Sequence, residues 1–371
     1  MPSAHPAVAV SRPQFDKVLA TLRADGFTLI GPSPHRGRIT LTEIESVRDL
    51  PDGWRDDRAP GRYRLEKDDH ESRWFGHTVP PDSWKRILNP PSQVLFSSAE
   101  REGRWTIEPE PVVSRKLAFI GIRPCDLAAI EILDRVLGGG NHPDHHYRAR
   151  RADLFILVAQ CDSPAESCFC ESLRTGPVAA SGFDLAVWET GETIVVEIGT
   201  ERGAKALEDV EARPASPREL ERTRQLADRS RRRITRKVDL EGIGEVLFHN
   251  LEHPRWGETA MRCLGCGNCT MVCPTCFCNT VDDEIDAIGT ATRRVRLWDS
   301  CFTTAFSHVH GGNIRPSLSA RYRQRITHKF ASWQFQFGQP GCVGCGRCIT
   351  FCPAGIDPVE DLAEIRKGAT R

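Results

Sequence analysis

Two runs of four cysteines constrain this chain more than anything else in it. Cys263-Leu-Gly-Cys266-Gly-Asn-Cys269-Thr-Met-Val-Cys273-Pro274 is matched by Cys342-Val-Gly-Cys345-Gly-Arg-Cys348-Ile-Thr-Phe-Cys352-Pro353, and both read C-x2-C-x2-C-x3-C-P. Three thiolates at intervals of three residues can wrap three corners of an iron–sulfur cubane. Glycines at 265, 267, 344 and 346 let the backbone turn tightly and bring amides towards the sulfurs. The proline after each fourth cysteine sends the chain away. Zinc is also held by four cysteines, but its sites come as two C-x2-C pairs well apart rather than as complete four-cysteine runs.

In bacterial two-cluster ferredoxins, which carry this spacing, the fourth cysteine of each run ligates the other cluster. The pattern therefore assigns Cys263, Cys266, Cys269 and Cys352 to one [4Fe–4S] cluster, and Cys342, Cys345, Cys348 and Cys273 to a second. Exchange of one ligand each forces the two clusters close together, and closeness permits electron hopping.

The whole chain carries fifteen cysteines in 371 residues. An odd number cannot pair fully. The N-terminal stretch Met1–Val10 has no basic segment followed by an apolar core, so no signal peptide is expected. A cytoplasmic location is expected from that, and a reducing compartment argues against a disulfide framework. With 39% hydrophobic and 27% charged residues the composition is that of a globular protein. A net charge of zero gives no push towards nucleic acid or a charged membrane surface. The longest apolar runs, Leu117–Ile122 and Leu154–Ala159, are strand-sized and far short of a membrane span.

The periodicity predicts an α+β protein: a mixed α/β domain over 1–240 and a mainly helical two-cluster domain over 241–371. Phe15–Asp25 has helical spacing, and Phe27–Ile30 and Arg38–Ile44 read as short strands. Pro51–Arg73 is charged and turn-rich and reads as surface. Lys116–Ile122 reads as a strand and Leu127–Leu137 as a helix with Asp126 at its N-cap, followed by a buried strand at Asp153–Gln160. That order makes a crossover unit with parallel strands. Gly138-Gly139-Gly140 reads as a helix stop. Phe183–Glu189 and Thr193–Gly199 read as a hairpin, and Arg202–Lys237, with its basic run Arg231-Arg232-Arg233, as a solvated helical connector. The insert between the cysteine runs shows helical spacing at Asp282–Ile288 and Leu318–His328.

Cys125 stands at the end of one predicted strand, where a helix begins, and Cys161, Cys168 and Cys170 follow another. Neighbouring parallel strands bring their C-terminal ends together, where ligands collect, and a helix N-terminus stabilises a thiolate. These four residues are candidates for a third cluster; buried, unliganded cysteine is the plain alternative. Cys276, Cys278 and Cys301 remain, either packing beside the clusters or holding another centre. His142, His145 and His146 read as loop surface; His308, His310 and His328 either adjust the clusters or serve structure. There is no G-x-G-x-x-G after a strand, no P-loop and no nucleophile elbow, so flavin or nicotinamide binding by this chain has no support, and no catalytic residue is assigned.

Ile122-Arg-Pro-Cys-Asp126, Cys168-Phe-Cys170, Cys273-Pro-Thr-Cys-Phe-Cys278, Trp298-Asp-Ser-Cys301, Gly311-Gly-Asn313 and Cys342-Val-Gly-Cys-Gly-Arg-Cys348 together resemble the β subunit of cytoplasmic sulfhydrogenases. The A subunit of anaerobic sulfite reductase is similar. The family's pattern has a histidine between the Gly-Gly pair and the asparagine; here Asn313 follows Gly312 directly. The resemblance implies an electron-transfer subunit of a soluble NAD(P)-linked nickel–iron hydrogenase. Its partners would be a flavin subunit that binds NAD(P)H, a small iron–sulfur subunit and a nickel–iron catalytic subunit. In the sulfite reductase reading a sirohaem subunit takes the catalytic place. Two readings from other classes are a stand-alone iron–sulfur reductase and a redox-sensing regulator using the basic helix. No nucleic-acid or membrane partner is expected.

Overall fold

The Leu117–Ile122, Phe155–Ala159 and Leu185–Glu189 strands are buried along their whole lengths, as expected for strands covered on both faces. A computed structural model, which describes residues 5–68 and 72–368, places them at the centre of an eight-stranded sheet. Across it the strands run 212–214, 7–11, 193–198, 185–189, 155–159, 117–122, 28–35 and 38–43. The middle pairings are parallel, and the outer ones antiparallel. Residues Met1–Ala4 of the N-terminal reading, and 69–71 of the charged stretch, lie outside the described residues.

Alternation along the central strands feeds two cores. Ala118, Ile120, Phe155 and Leu157 face the Arg12–Ala24 helix, which presents Phe15, Val18, Leu19 and Leu22. Leu117, Phe119, Ile156 and Val158 face the Pro124–Leu133 helix, which presents Leu127, Ile130 and Leu133. Each Leu, Ile, Val or Phe among them contributes about 1.5–3 kcal/mol of transfer free energy.

The parallel register Ala118↔Phe155 through Ile122↔Val158 sends Arg123 and Gln160 out of the same sheet edge. The helix beyond starts one turn earlier than its apolar spacing suggests, at Pro124 with Arg123 as N-cap, because proline is preorganised for a first helical position. Asp126 is therefore not the cap but lies inside the first turn. Its two carboxylate oxygens accept from Arg347 Nη1 and Nη2 at 2.6 and 2.8 Å, and Arg347 Nε donates to the Pro80 carbonyl at 2.7 Å. Both side chains are buried, at 0% and 1% exposure.

The C-terminal part is built from the Ile243–His249, Arg255–Arg262, Leu318–Thr327 and Pro358–Lys367 helices around Trp256, Tyr322, Ile326, Phe330, Leu362 and Ile365. Buried Asp361 accepts from Thr259, Arg255 and Tyr322.

Two further sequence expectations are corrected. The Asp282–Ile288 segment is not helical: Asn279–Ile285 pairs with Ala291–Trp298, which pairs with Ser92–Arg101 in a second, four-stranded antiparallel sheet. Pairing with the following strand, itself paired to a partner about half the chain away, overrides the local spacing. The charged 51–73 stretch is not mere surface. Trp54–Ala59 and Arg62–Lys67 form a hairpin with Asp56 and Arg58 buried inside it. At its tip the Gly61 amide donates to the Ile349 carbonyl at 3.1 Å, and Tyr63 packs on Phe351 with ring centroids 5.3 Å apart. The hairpin thus covers the end of the second cysteine run.

Replacing Arg347 by alanine leaves the Asp126 carboxylate buried without its partner. The expected loss is about 3–5 kcal/mol of stability, read as a lower midpoint in anaerobic denaturant unfolding. A midpoint equal to that of the unsubstituted protein would contradict the role given to this pair.

Candidate metal centres

The two cysteine runs take one backbone conformation twice. Gly265 and Gly344 have φ of +65° and +61°, Gly267 and Gly346 +71° and +73°, a region that side chains rarely adopt. In each run the glycine two residues after the first cysteine donates its amide to that cysteine's sulfur at 3.4 Å, Gly265 to Cys263 and Gly344 to Cys342. Each run then enters a short helix, Asn268–Met271 or Arg347–Thr350.

The eight cysteines line two adjoining cavities. One is walled by Cys263, Cys266, Cys269 and Cys352, and the other by Cys273, Cys342, Cys345 and Cys348. Cys348 and Arg325 belong to both walls. Among the described residues no three His, Cys, Asp or Glu side chains converge on a single-ion site. Four thiols around a shared space, rather than around a point, are what a cubane requires, because each thiolate binds a different iron. The donor set therefore fits [4Fe–4S] clusters and does not fit tetrahedral zinc, whose short Zn–S bonds of about 2.3 Å draw the sulfurs together.

Charge supports the same fit. As free thiols, Cys269 and Cys342 are raised by burial to about 12 and Cys345 to about 11. Buried cations oppose that cost. Arg325 is 4% exposed, and its Nε has no hydrogen-bond partner within the protein. Burial alone would depress its pKa, but the negative sulfurs of Cys269 and Cys348 carry it well above the usual value. Lys329 behaves likewise against Cys273, Cys276 and Cys342; its ammonium donates to Thr275 Oγ1 at 2.8 Å and to the Gly341 carbonyl at 2.9 Å. A guanidinium and an ammonium placed this deep need anionic neighbours, and cysteinate-bound clusters are anionic. Neither residue was singled out from sequence. A signal existed: Tyr322, Arg325, Ile326, Lys329 and Phe330 recur at i, i+3, i+4, i+7 and i+8, so both cations share the apolar face of their helix.

Cys125, Cys161, Cys168 and Cys170 come together as well. They line one cavity with Thr78, Arg123, Gly176 and Pro177. Cys125 occupies the first turn of the Pro124–Leu133 helix, and Cys161 follows the neighbouring strand. Arg123 is buried; it donates to the Gln160 carbonyl at 3.1 Å and the Phe75 carbonyl at 2.6 Å, and its Nε has no partner within the protein. This loop lies directly on the second cysteine run. The Phe169 amide donates to the Gly344 carbonyl at 2.8 Å, Thr175 Oγ1 to the Val343 carbonyl at 2.7 Å, and Ser167 and Thr350 hydroxyls pair at 2.8 Å. A Cβ on Gly344 would stand 2.6 Å from the Cys170 nitrogen, and one on Gly346 2.5 Å from the Ser167 carbonyl oxygen. Those glycines serve the approach of this loop as well as their own turns.

The Arg231-Arg232-Arg233 run is exposed, while the basic residues just after it are held by acidic partners. Arg236 pairs with Asp357 at 2.8 Å and with Glu166, and Lys237 pairs with Glu171. Asn313 is also structural: its side-chain oxygen accepts from the Arg315 amide at 2.7 Å. His328 lines the space beside Cys276, Cys278 and Cys301, where burial and the Lys329 charge lower its pKa to about 4, so it is neutral at physiological pH.

Comparison with known proteins agrees with this chemistry. A family described as a 4Fe-4S dicluster domain matches residues 262–356, which implies two [4Fe–4S] clusters. The chain is 33% identical over 295 residues to sulfhydrogenase 2 subunit beta of Pyrococcus furiosus, covering 77% of this chain and 85% of that protein. No solved structure matches.

Arg325→Gln removes a positive charge from the wall shared by the two cavities. Reduction adds negative charge there, so both cluster midpoints are expected to fall. One charge about 4–5 Å away at an effective dielectric near 20 is worth about 3–4 kcal/mol, or on the order of 150 mV for one electron. Anaerobic redox titration followed by electron paramagnetic resonance measures it; unshifted potentials would mean that the charge is not felt.

Proposed function

This chain belongs to the sulfhydrogenase β-subunit family, and from that premise we propose that it is the electron relay of a soluble, NAD(P)-linked nickel–iron hydrogenase. As an iron–sulfur electron-transfer subunit it carries clusters whose chemistry is one-electron storage and release. In this reading Cys263, Cys266, Cys269 and Cys352 hold one cluster, Cys342, Cys345, Cys348 and Cys273 hold the other, and Cys125, Cys161, Cys168 and Cys170 hold a third. The observation that carries it is the chain of shared walls. Cys348 and Arg325 border both ferredoxin-type cavities, and the Cys168 thiol reaches the Cys345 carbonyl at 3.9 Å.

The protein's own work is then positional. Buried Arg325 and Lys329 offset the negative charge of the thiolates. The Trp54–Lys67 hairpin and the 161–177 loop cover the sulfurs and limit water, which bears on potential. Bond-making on hydrogen and nicotinamide falls to partners: a flavin subunit taking NAD(P)H, a small iron–sulfur subunit and a nickel–iron subunit. Membership of a sulfite reductase, with a sirohaem subunit as the catalytic partner, is the competing assignment. It is separated by which partner restores activity.

Anaerobically prepared chain is expected to contain about eight irons from the two paired clusters and about four more from the third. Cys125→Ala should remove the last four only. The isolated chain should bleach under dithionite yet turn over neither hydrogen, NADPH nor sulfite. Sustained turnover without partners would overturn the relay assignment and favour a stand-alone reductase.

A further inference from the structure

Cys276, Cys278 and Cys301 are not among the twelve cysteines placed above, yet the fold gathers them. They line a separate cavity of about 390 Å³ with Arg315, Arg325, His328 and Lys329. Long-range pairing builds it. The Asn279–Ile285 strand runs antiparallel to Ala291–Trp298, and the Asp299 amide extends the ladder by donating to the Cys278 carbonyl at 2.9 Å. That bond turns Trp298-Asp-Ser-Cys301 back over Cys278, so that Cys278 and Cys301 line the same cavity. Cys276 reaches the same space three residues after Cys273.

We propose that this cavity holds a further [4Fe–4S] centre, bound by the Cys276, Cys278 and Cys301 thiolates, with one iron lacking a cysteine and facing the open part of the cavity. Three features carry it. The cavity holds soft sulfur donors and no carboxylate, a set that selects iron–sulfur over hard cations. Its wall is cationic: Arg315, Arg325 and Lys329 line it, the unpartnered Nε belongs to Arg325, and the buried Lys85 ammonium lies behind it on the Cys276 carbonyl at 2.9 Å. Its volume has room for a cluster and is far too large for one ion, in keeping with the absence of a single-ion site among the described residues.

Its place in the molecule follows. Thr275, Arg325 and Lys329 wall both this cavity and that of Cys273, Cys342, Cys345 and Cys348. The new centre is therefore next to the second ferredoxin-type cluster, and an iron without a thiolate leaves a coordination position for a small exogenous ligand.

The test uses the full chain, prepared and reconstituted anaerobically with iron and sulfide. Cys278→Ala and Cys301→Ala are each expected to lose about four irons and four labile sulfides; the Cys125→Ala loss is a different four and is independent of this result. Unchanged iron in both variants overturns the proposal, as does stoichiometric zinc in the unsubstituted protein. Should the variants fold poorly, stoichiometric ferricyanide on the unsubstituted protein decides. A cubane iron without a thiolate leaves first: the oxidant takes one electron and one ferrous ion departs. The expected product is one [3Fe–4S] signal per chain by electron paramagnetic resonance, and its absence overturns the proposal.

Discussion

A buried guanidinium holds the two halves of this protein in register. Arg347 stands between Cys345 and Cys348, reaches away from them, and spends its donors on the Asp126 carboxylate and the Pro80 carbonyl. Through that one side chain the second cysteine loop is fastened to the first turn of the helix that carries Cys125. Burying such a pair costs several kcal/mol per ion in desolvation, and only good geometry returns it. The two parallel contacts supply that geometry and its direction. The loop carrying Ser167 to Cys170 then closes on Gly344 and Gly346 without room for a side chain. The relation between the third cysteine set and the ferredoxin-type pair is thus set by packing rather than by a linker.

A second constraint is electrostatic. Thiols this deep are costly to ionise, and burial raises them. Metal binding removes those protons outright and leaves net negative charge in a dry interior. Arg325 and Lys329 are the opposite charges placed to meet it, and Arg325 borders three cavities at once. Buried cations and clusters explain each other: neither is comfortable there alone. The same arrangement makes the Cys273, Cys342, Cys345 and Cys348 cavity a hub, since it has a wall or backbone contact in common with each of the others.

Much of this was readable along the chain. Spacing within each cysteine run, the strands at 117–122 and 155–159, and the convergence of Cys125 with Cys161 at one sheet edge all follow from local periodicity and the handedness of crossover units. The failures were equally physical. Asp126 satisfies the composition of a helix cap, yet Pro124 moved the helix start and freed the carboxylate for Arg347. The segment at 282–288 has residues at helical intervals, yet strand pairing with 291–298 and 92–101 overrode them. The 54–67 hairpin carries so many charges that only its buried Asp56 and Arg58, bonded to each other, reveal it as interior.

The sequence by itself determined which thiolates can wrap a cluster, because that depends on covalent intervals of a few residues and on glycines that tolerate positive φ. It also determined the alternation that makes the central sheet. Only the tertiary structure decided what stands beside those thiolates: the Arg325 and Lys329 charges, the Arg347–Asp126 pair, and the meeting of Cys278 with Cys301. Such neighbours are chosen by burial and by pairing between segments; helical spacing puts Arg325 and Lys329 on an apolar face, but nothing in the order of residues says which sulfurs that face meets.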